Sequence, residues 1–322
     1  MQRTYGWAVA SALAIGLAAC SGVDGGGGGA PGGRAIGDDG IGAAEVVVKT
    51  DAAHQPVDAA PSPAGTTIYF LVTGDSDAMV SRVRAEGGPA TELARGAPLA
   101  RPTNVAVATD DSRVFVADPA SGGSGAVLVV PSGEAGRAVA LPGTQGREPR
   151  GLDVVKGADG DILYFVGTDP TSRVPGLFSV PSAGGKVTTI ATGSPFVSPD
   201  SVVVAADGTA YVSDQGTAEG QGLVFRVAGG ALTQVLTSLH LGRPAGVTLL
   251  NDDQTLLVSS VNKKSRSNQV LFLDLPTGKT AAATKVIGAQ KNSAGGLHKA
   301  FAAAVLGWAD IQRPGRIYRV DP

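Results

Sequence analysis

The chain repeats itself at intervals of 45 to 50 residues, and this period constrains its fold more than any other feature. Each copy has a proline, an alternating apolar strand, a polar turn, a second strand ending near an aspartate, and a third strand that begins at a glycine. The copies start at Pro56, Pro102, Pro149, Pro199, Pro244 and, with the proline lost, near Ala294. A four-stranded propeller blade has this length, so six copies predict a six-bladed β-propeller.

The ends of the repeat region predict how the ring closes. Fourth strands are predicted at Arg137–Leu141, Lys186–Ala191 and Ala231–Leu236. The sixth copy stops after its third strand, Gly315–Val320, which would leave an unpaired sheet edge. Glu45–Thr50 belongs to no copy, so we expect it to pair with Ile317–Val320 and complete blade six. The alternative is that this segment is the inner strand of blade one.

Composition agrees with an all-β chain and excludes one class of partner. The sequence has 47 Gly and 20 Pro, and its short β-rich runs are bounded by Gly, Pro, Asp and Ser. The formal net charge is −2. No basic stripe interleaves with aromatic residues, so nucleic acid is not an expected partner. We expect a monomer.

The first 44 residues predict export and anchoring. Arg3 supplies positive charge, Trp7–Leu17 is apolar but shorter than the ~20 residues that cross a bilayer, and Ala18 and Ala19 precede Cys20. Leu17–Cys20 resembles the lipobox of bacterial lipoproteins. That resemblance implies a cleaved signal peptide at 1–19, acylation of Cys20, and, with Ser21 following, the outer membrane of a Gram-negative bacterium. An ordinary cleaved signal that leaves a free thiol is the alternative. Residues 20–44 are then a lipidated, glycine-rich linker, and 45–322 the propeller.

The repeat also resembles a known superfamily. Its pattern of Pro-x-x-Val-x-Val, Asp-Gly, Tyr-Val-x-Asp and Gly-x-Val-x-Arg-Val is similar to that of NHL-repeat and SMP-30/gluconolactonase-like six-bladed propellers. In the lactonases of that group, the resemblance implies a divalent metal, usually Ca²⁺, in the central channel. Only Asp200, after Pro199, falls on a ligand position of that family, while Asn104 is one residue out of register. Calcium is therefore implied only if the chain is such a lactonase.

Candidate site residues follow the repeat anchors, because inner strands converge on the channel of a propeller. We predict channel-mouth binding residues at Asp58, Asn104, Arg150, Asp200 and His298, and Asp200 is also the candidate metal ligand. Asp153 and Arg243 are further candidates. For each of these, a structural role in a loop or cap is the competing interpretation.

Other patterns carry no chemistry. Asp118, Asp169, Asp214 and Asp310 recur at one place in their blades and are expected to form turns. The three histidines share no zinc-ligand spacing, and Gly193-Ser194-Pro195 is not a nucleophile elbow. Lys263–Arg266 is interpreted as a solvated hairpin tip.

Two function hypotheses remain open. The first is an envelope lipoprotein whose propeller is a non-catalytic binding or interaction scaffold. The second is a calcium-dependent sugar-lactone hydrolase of the SMP-30 type. The repeat itself does not decide whether the protein is an enzyme, although the single match to the family's metal ligands favours the scaffold.

Overall fold

The computed structural model describes residues 44–250, 253–283 and 294–322. In these residues the chain forms six antiparallel four-stranded sheets arranged as the blades of a propeller. The prediction of a six-bladed, all-β propeller is confirmed. The predictions for Cys20, the signal peptide and most of the linker lie outside the described residues. No helix within the described ranges is both long enough and apolar enough to cross a bilayer.

The strands follow the repeat, with the inner strand of each blade first in sequence. Blade one contains β2 (Gln55–Pro61), β3 (Thr67–Thr73), β4 (Ala78–Arg84) and β5 (Thr91–Arg95). Blade two contains β6 (Asn104–Val107), β7 (Arg113–Asp118), a 3₁₀ turn (Ser121–Gly123), β8 (Ala126–Pro131) and β9 (Val139–Ala140). Blade three contains β10 (Gly151–Gly157), β11 (Gly160–Thr168), β12 (Pro175–Pro181) and β13 (Thr188–Thr192).

The second half of the ring repeats this order. Blade four contains β14 (Pro199–Val204), β15 (Ala210–Asp214), β16 (Gly222–Ala228) and β17 (Ala231–Leu239). Blade five contains β18 (Val247–Leu249), β19 (Thr255–Val261), β20 (Asn268–Asp274) and β21 (Thr280–Ala283). Blade six contains β22 (Ala294–Lys299), β23 (Leu306–Asp310), β24 (Arg316–Val320) and, as its outer strand, β1 (Ala44–Lys49).

The N-terminal strand closes the ring, as the unclaimed segment predicted. Val46 lies opposite Tyr318 and Val48 opposite Ile317, with a bulge between Val46 and Val48. The bulged residue, Val47, is buried in a cluster that includes Ile68 of blade one and Ile317 of blade six. The strand β1 therefore pairs with the backbone groups on the outer edge of blade six and adds to the packing between the first and last blades.

The core lies between neighbouring blades, because each sheet buries both of its faces against the next sheet. One cluster joins Leu71 of blade one to Val116 of blade two, and another joins Phe115 of blade two to Phe165 of blade three. The central strands are consequently apolar along nearly their whole length: all seven residues of β19 are buried. Continuous apolar runs of this kind are typical of strands covered on both faces.

Candidate functional site

Polar side chains form a belt around the inside of the ring, in which a side chain of one blade hydrogen-bonds to the backbone of the next blade. An inner strand pairs with its own sheet along one edge only, so backbone N–H groups on its other edge need different acceptors. Side-chain oxygens of four inner strands provide them. Asp58 accepts from Val105, Asn104 from Leu152, and Asp153 from Val204, each at 2.8 Å; Asp200 accepts from Ala245 at 2.6 Å. We call these four residues the inter-blade belt.

The links from blade five to blade six and from blade six to blade one use side-chain contacts of a different kind. Ser259 accepts from its own blade's Gly246 N–H at 3.0 Å and donates to the carbonyl of Gly295 in blade six at 2.6 Å. His298 of blade six reaches Asp58 of blade one, with 2.9 Å between Nε2 and Oδ2. The belt and these two contacts therefore link every blade to the next by a side chain close to the channel.

Asp58, Asn104 and His298 meet at one point of this circle. The Asp58 carboxylate also accepts the N–H of Ala59 at 2.9 Å, so each of its two oxygens holds a backbone donor. His298 Nε2 donates to Asp58 when it carries a proton and accepts from the amide of Asn104 when it does not. Asn104 has its oxygen on Leu152 N–H, which turns its Nδ2 toward His298 Nε2 at 3.1 Å. Gly296 is required beside this cluster, because a Cβ there would lie 1.6 Å from Asp58 Oδ1.

The channel contains a cavity of about 280 Å³ at the ends of the inner strands, where they lead into their first hairpins. Its walls are mainly apolar and come from all six blades. They include Ala60, Pro61, Val107, Val154, Val203 and Leu249. Phe301 stands at the rim with 52% of its surface exposed, and its loop is held to blade one by a 2.9 Å bond from Ala302 N–H to the Pro63 carbonyl.

The cavity's polar lining residues are Thr109, Asp153, Thr248, Asp253, His298 and Lys299. Burial raises the pKa of Asp153 to about 6, against the opposing effects of two backbone N–H groups and the charges of His298 and Lys299. Burial lowers the pKa of His298, but Asp58 and Asp153 outweigh that effect and the net shift is upward. Asp58 and Asn104 both contact His298 at Nε2, and the same residue lines the cavity. A carboxyl group and an imidazole, each with a raised pKa, can exchange protons with a bound ligand.

The other predicted site residues lie elsewhere. Asp200 is buried, and its Oδ2 holds both the Ala245 N–H and the Gln215 side chain, the latter at 2.9 Å. Burial raises its pKa although Arg150 and Arg243 carry nearby positive charge. Arg150 reaches the Ser198 hydroxyl at 3.4 Å. The structure thus brings Asp58, Asn104 and His298 together and places Arg150 near Asp200, away from the cavity.

The donor set that calcium needs is not assembled in the described residues. Ca²⁺ takes six to eight oxygen ligands, chiefly carboxylates and carbonyls. The described part of the chain contains no cluster of three or more His, Cys, Asp or Glu side chains placed to hold a metal ion. Asp58 and Asp200 already hold backbone N–H groups. These residues do not fit a calcium ion as they stand.

Three recurring aspartates form turns, as expected from their repetition. Asp118 accepts the N–H groups of Ala120 and Ser121, each at 2.9 Å. Asp169 accepts those of Thr171 and Ser172, and Asp214 accepts that of Gly216. The repeat pattern does not mark Lys299, Thr248 or Phe301 as cavity residues, because they lie near the ends of the inner strands and not at the anchors.

Comparison with known proteins supports the fold and does not assign a family. No protein-family model matches the chain, and no curated protein matches it in sequence. A glucose dehydrogenase structure is 12% identical with a TM-score of 0.61, over 86% of this chain and 99% of that one. A gluconolactonase from Xanthomonas campestris is 18% identical with a TM-score of 0.58, over 90% and 98% of the two chains. A TolB homologue assigned in Agrobacterium tumefaciens is 15% identical with a TM-score of 0.56, over 83% and 89%. At such identities the similarity shows a shared propeller fold alone.

Proposed function

We propose that this protein is a non-catalytic binding propeller whose channel cavity holds a small molecule with an apolar body and a hydrogen-bonding end. The observation that carries the proposal is the cavity itself, with mainly apolar walls and the polar groups of Asp153 and His298 in its lining. Ligand sites commonly combine an apolar enclosure with a few placed polar groups. At about 280 Å³ the cavity suits a compact ligand.

The end group is best matched by a hydroxyl or an amine. The Asp153 carboxylate is partly withdrawn from water, so a hydrogen-bond donor would stabilise its charged form. His298 Nδ1 can accept a proton or donate one, according to its charge state. A ligand carboxylate would face Asp153 at close range and is disfavoured by like-charge repulsion.

Three probes that share one apolar body test this proposal. Cyclohexanol, cyclohexylamine and cyclohexanecarboxylate are titrated into the purified protein and followed by saturation-transfer NMR. We expect the alcohol and the amine to bind and the carboxylate to bind at least about tenfold more weakly. Val154→Phe, which narrows the cavity, should abolish binding, whereas Val139→Phe on the exposed surface should not. Binding that survives Val154→Phe, or a preference for the carboxylate, would contradict the proposed site.

A calcium-dependent lactonase is the rival function. It rests on the repeat resemblance, and the gluconolactonase and this chain share a fold at 18% identity. The occupied carboxylates of Asp58 and Asp200 count against it. Hydrolysis of glucono-1,5-lactone, measured with added CaCl₂ and with EDTA, separates the two functions. Calcium-dependent turnover that Asp200→Ala abolishes would replace our proposal with the lactonase.

We also propose that the propeller is tethered to the outer membrane of a Gram-negative envelope through acylated Cys20. The support is the order of charged, apolar and small residues that ends at this cysteine. A binding propeller on a glycine-rich linker would stay at the membrane while sampling ligand in the surrounding compartment.

A further inference from the structure

A second cavity, of about 420 Å³, lies between blades four and five. It is formed by the end of β17 and by the hairpin that joins β19 to β20. Because β19 runs antiparallel to the inner strand β18, this hairpin lies at the opposite end of the blade from the channel cavity. The two cavities share no lining residue.

Blade five departs from the repeat at this place. In blades two and four the second strand ends at Asp118 and Asp214, and each carboxylate accepts N–H groups from the loop before its inner strand. The corresponding residue of blade five is Ser260, which lies opposite Gln269 as Asp214 lies opposite Leu223. A carboxylate has therefore been replaced by a neutral hydroxyl, with an amide beside it.

The wall of the second cavity includes a buried chain of neutral polar groups. Ser260 and Gln269 are 1% and 7% exposed. Gln269 donates to the Ser260 hydroxyl at 3.2 Å and accepts from the Asn262 amide at 3.1 Å. Asn262 in turn accepts the N–H groups of Lys264 and Ser265, both at 3.0 Å, and so shapes the hairpin tip. Polar groups buried in such a network hold a fixed arrangement.

The rim of the cavity is basic. Lys263 and Lys264 are exposed and have no ion pair with a described residue. Arg266 contacts Glu219 at 3.2 Å, and that glutamate is 76% exposed. His240 adds a ring nitrogen, Nδ1, that is buried without a hydrogen-bond partner in the described chain; Glu219 is 3.7 Å away, beyond hydrogen-bond distance. The cavity is thus lined by two lysines, and the Arg266–Glu219 ion pair lies beside it.

Two non-glycine residues at this cavity have left-handed backbone conformations. Ser238, in the wall, has φ +57°, and Arg266, at the hairpin, has φ +59°. Such conformations are strained in residues other than glycine and concentrate at functional sites. Both conformations occur where blade five has Ser260 in place of the repeat's aspartate and carries Lys263 and Lys264 in the hairpin that follows.

We propose that the cavity between blades four and five is an anion-binding site that takes a phosphate group. The lysine ammonium groups would supply charge, and His240 Nδ1 a directed hydrogen bond. The neutral wall of Ser260 and Gln269 leaves no buried carboxylate to repel the ligand. Lysine binds phosphate as a flexible point charge, which suits a rim on an exposed hairpin. The phosphate could belong to a soluble metabolite or to a lipid headgroup.

Calorimetry with inorganic phosphate at constant ionic strength tests this proposal. The full chain carries Cys20→Ser, so that the predicted anchor cannot be acylated. We expect Lys263→Ala/Lys264→Ala to weaken phosphate binding about tenfold or more. Lys156→Ala/Lys186→Ala, which removes the same charge from exposed sites in blade three, should change it less than about twofold. Val154→Phe in the channel cavity should leave it unchanged, so this test is independent of the proposed function.

One further variant probes the wall of the cavity. Ser260→Asp restores the residue of the repeat and places a carboxylate beside the proposed phosphate, so binding should fall at least tenfold while the melting temperature is maintained. Sedimentation with phosphatidylglycerol vesicles, against phosphatidylcholine vesicles, tells a lipid headgroup from free phosphate. Lysine-dependent binding in either assay supports the site. Equal binding by the two double-lysine variants, or no binding to phosphate or anionic vesicles, would overturn it.

Discussion

Replacing Asp58 by alanine should destabilise the propeller far more than a single side-chain deletion on the surface. This carboxylate is fully buried and holds three donors, which are the N–H groups of Ala59 and Val105 and the Nε2 of His298. The donors on Val105 and His298 lie in the neighbouring blades on either side. A buried donor left without an acceptor costs about 1–3 kcal/mol, and breaking a buried charged pair costs about 3–5 kcal/mol.

We therefore expect Asp58→Ala to lower the free energy of unfolding by about 3–5 kcal/mol. Asp58→Asn keeps one acceptor oxygen, so its free energy of unfolding should lie between those of Asp58→Ala and the parent protein. Guanidinium unfolding is followed by the fluorescence of Trp308, which is fully buried in blade six and reports on the seam of the ring. Asp51, exposed and paired with His54 in the preceding loop, supplies the control: Asp51→Ala should leave the unfolding midpoint unchanged.

A loss below about 1 kcal/mol for Asp58→Ala would refute this reasoning, because that is the size of one ordinary hydrogen bond. It would mean that water replaces the carboxylate at Val105 and His298 without cost. The inter-blade belt would then be a lining of the channel with no part in holding the blades together.

Three further predictions concern the closing strand, the Asp58–His298 pair and the lipid anchor. Val47→Asp places a charge on the buried side of the closing strand and should lower the free energy of unfolding, measured with denaturant, by about 3 kcal/mol. Val46→Asp, on the exposed side of the same strand, should change that free energy little. His298 has a raised pKa in the folded state, so its contribution to the stability of the fold is complete below pH 6.5 and is lost as the pH rises through the folded-state pKa. His298→Gln should therefore lower the free energy of unfolding more at pH 6 than at pH 9, which unfolding curves of the variant and the parent protein at both pH values measure. Cys20→Ser should move the protein from the membrane to the soluble fraction and remove palmitate labelling, and an unchanged membrane fraction would rule out lipid anchoring at this residue.

The sequence was sufficient for the architecture because the information needed was periodic and local. Each proline anchor is followed by the same order of strand and turn, so the number of blades could be counted. The closing strand could be predicted as well, since Gly315–Val320 needed a partner and Glu45–Thr50 had none. The structure places that strand one residue earlier, at Ala44–Lys49, and shortens the predicted fourth strand of blade two to Val139–Ala140.

The candidate site was less predictable because its contacts join residues about 50, 194 or 240 positions apart. Asp58 and Asn104 were identified as polar residues near the anchors, but their partners include backbone N–H groups of the next blade, which no residue type reveals. A bulge at Val57 and another at Asp200 also shift the register of their inner strands. The position of the cavity, at strand ends rather than at the anchors, follows from the shape of the ring and could not be inferred from the spacing.

The pairing of β1 with β24 has a consequence for the order of events during synthesis. Ala44 pairs with Val320, so the seam joins residues 276 positions apart, from 320 minus 44. Bringing such distant segments together costs about 5 kcal/mol in chain entropy, from 1.5RT ln n. The first strand made must wait for the last, and until then β24 has no neighbour on its outer edge. At high expression levels the first strand of one molecule can fill the edge of another, so we expect strand-exchanged dimers to accumulate during crowded synthesis.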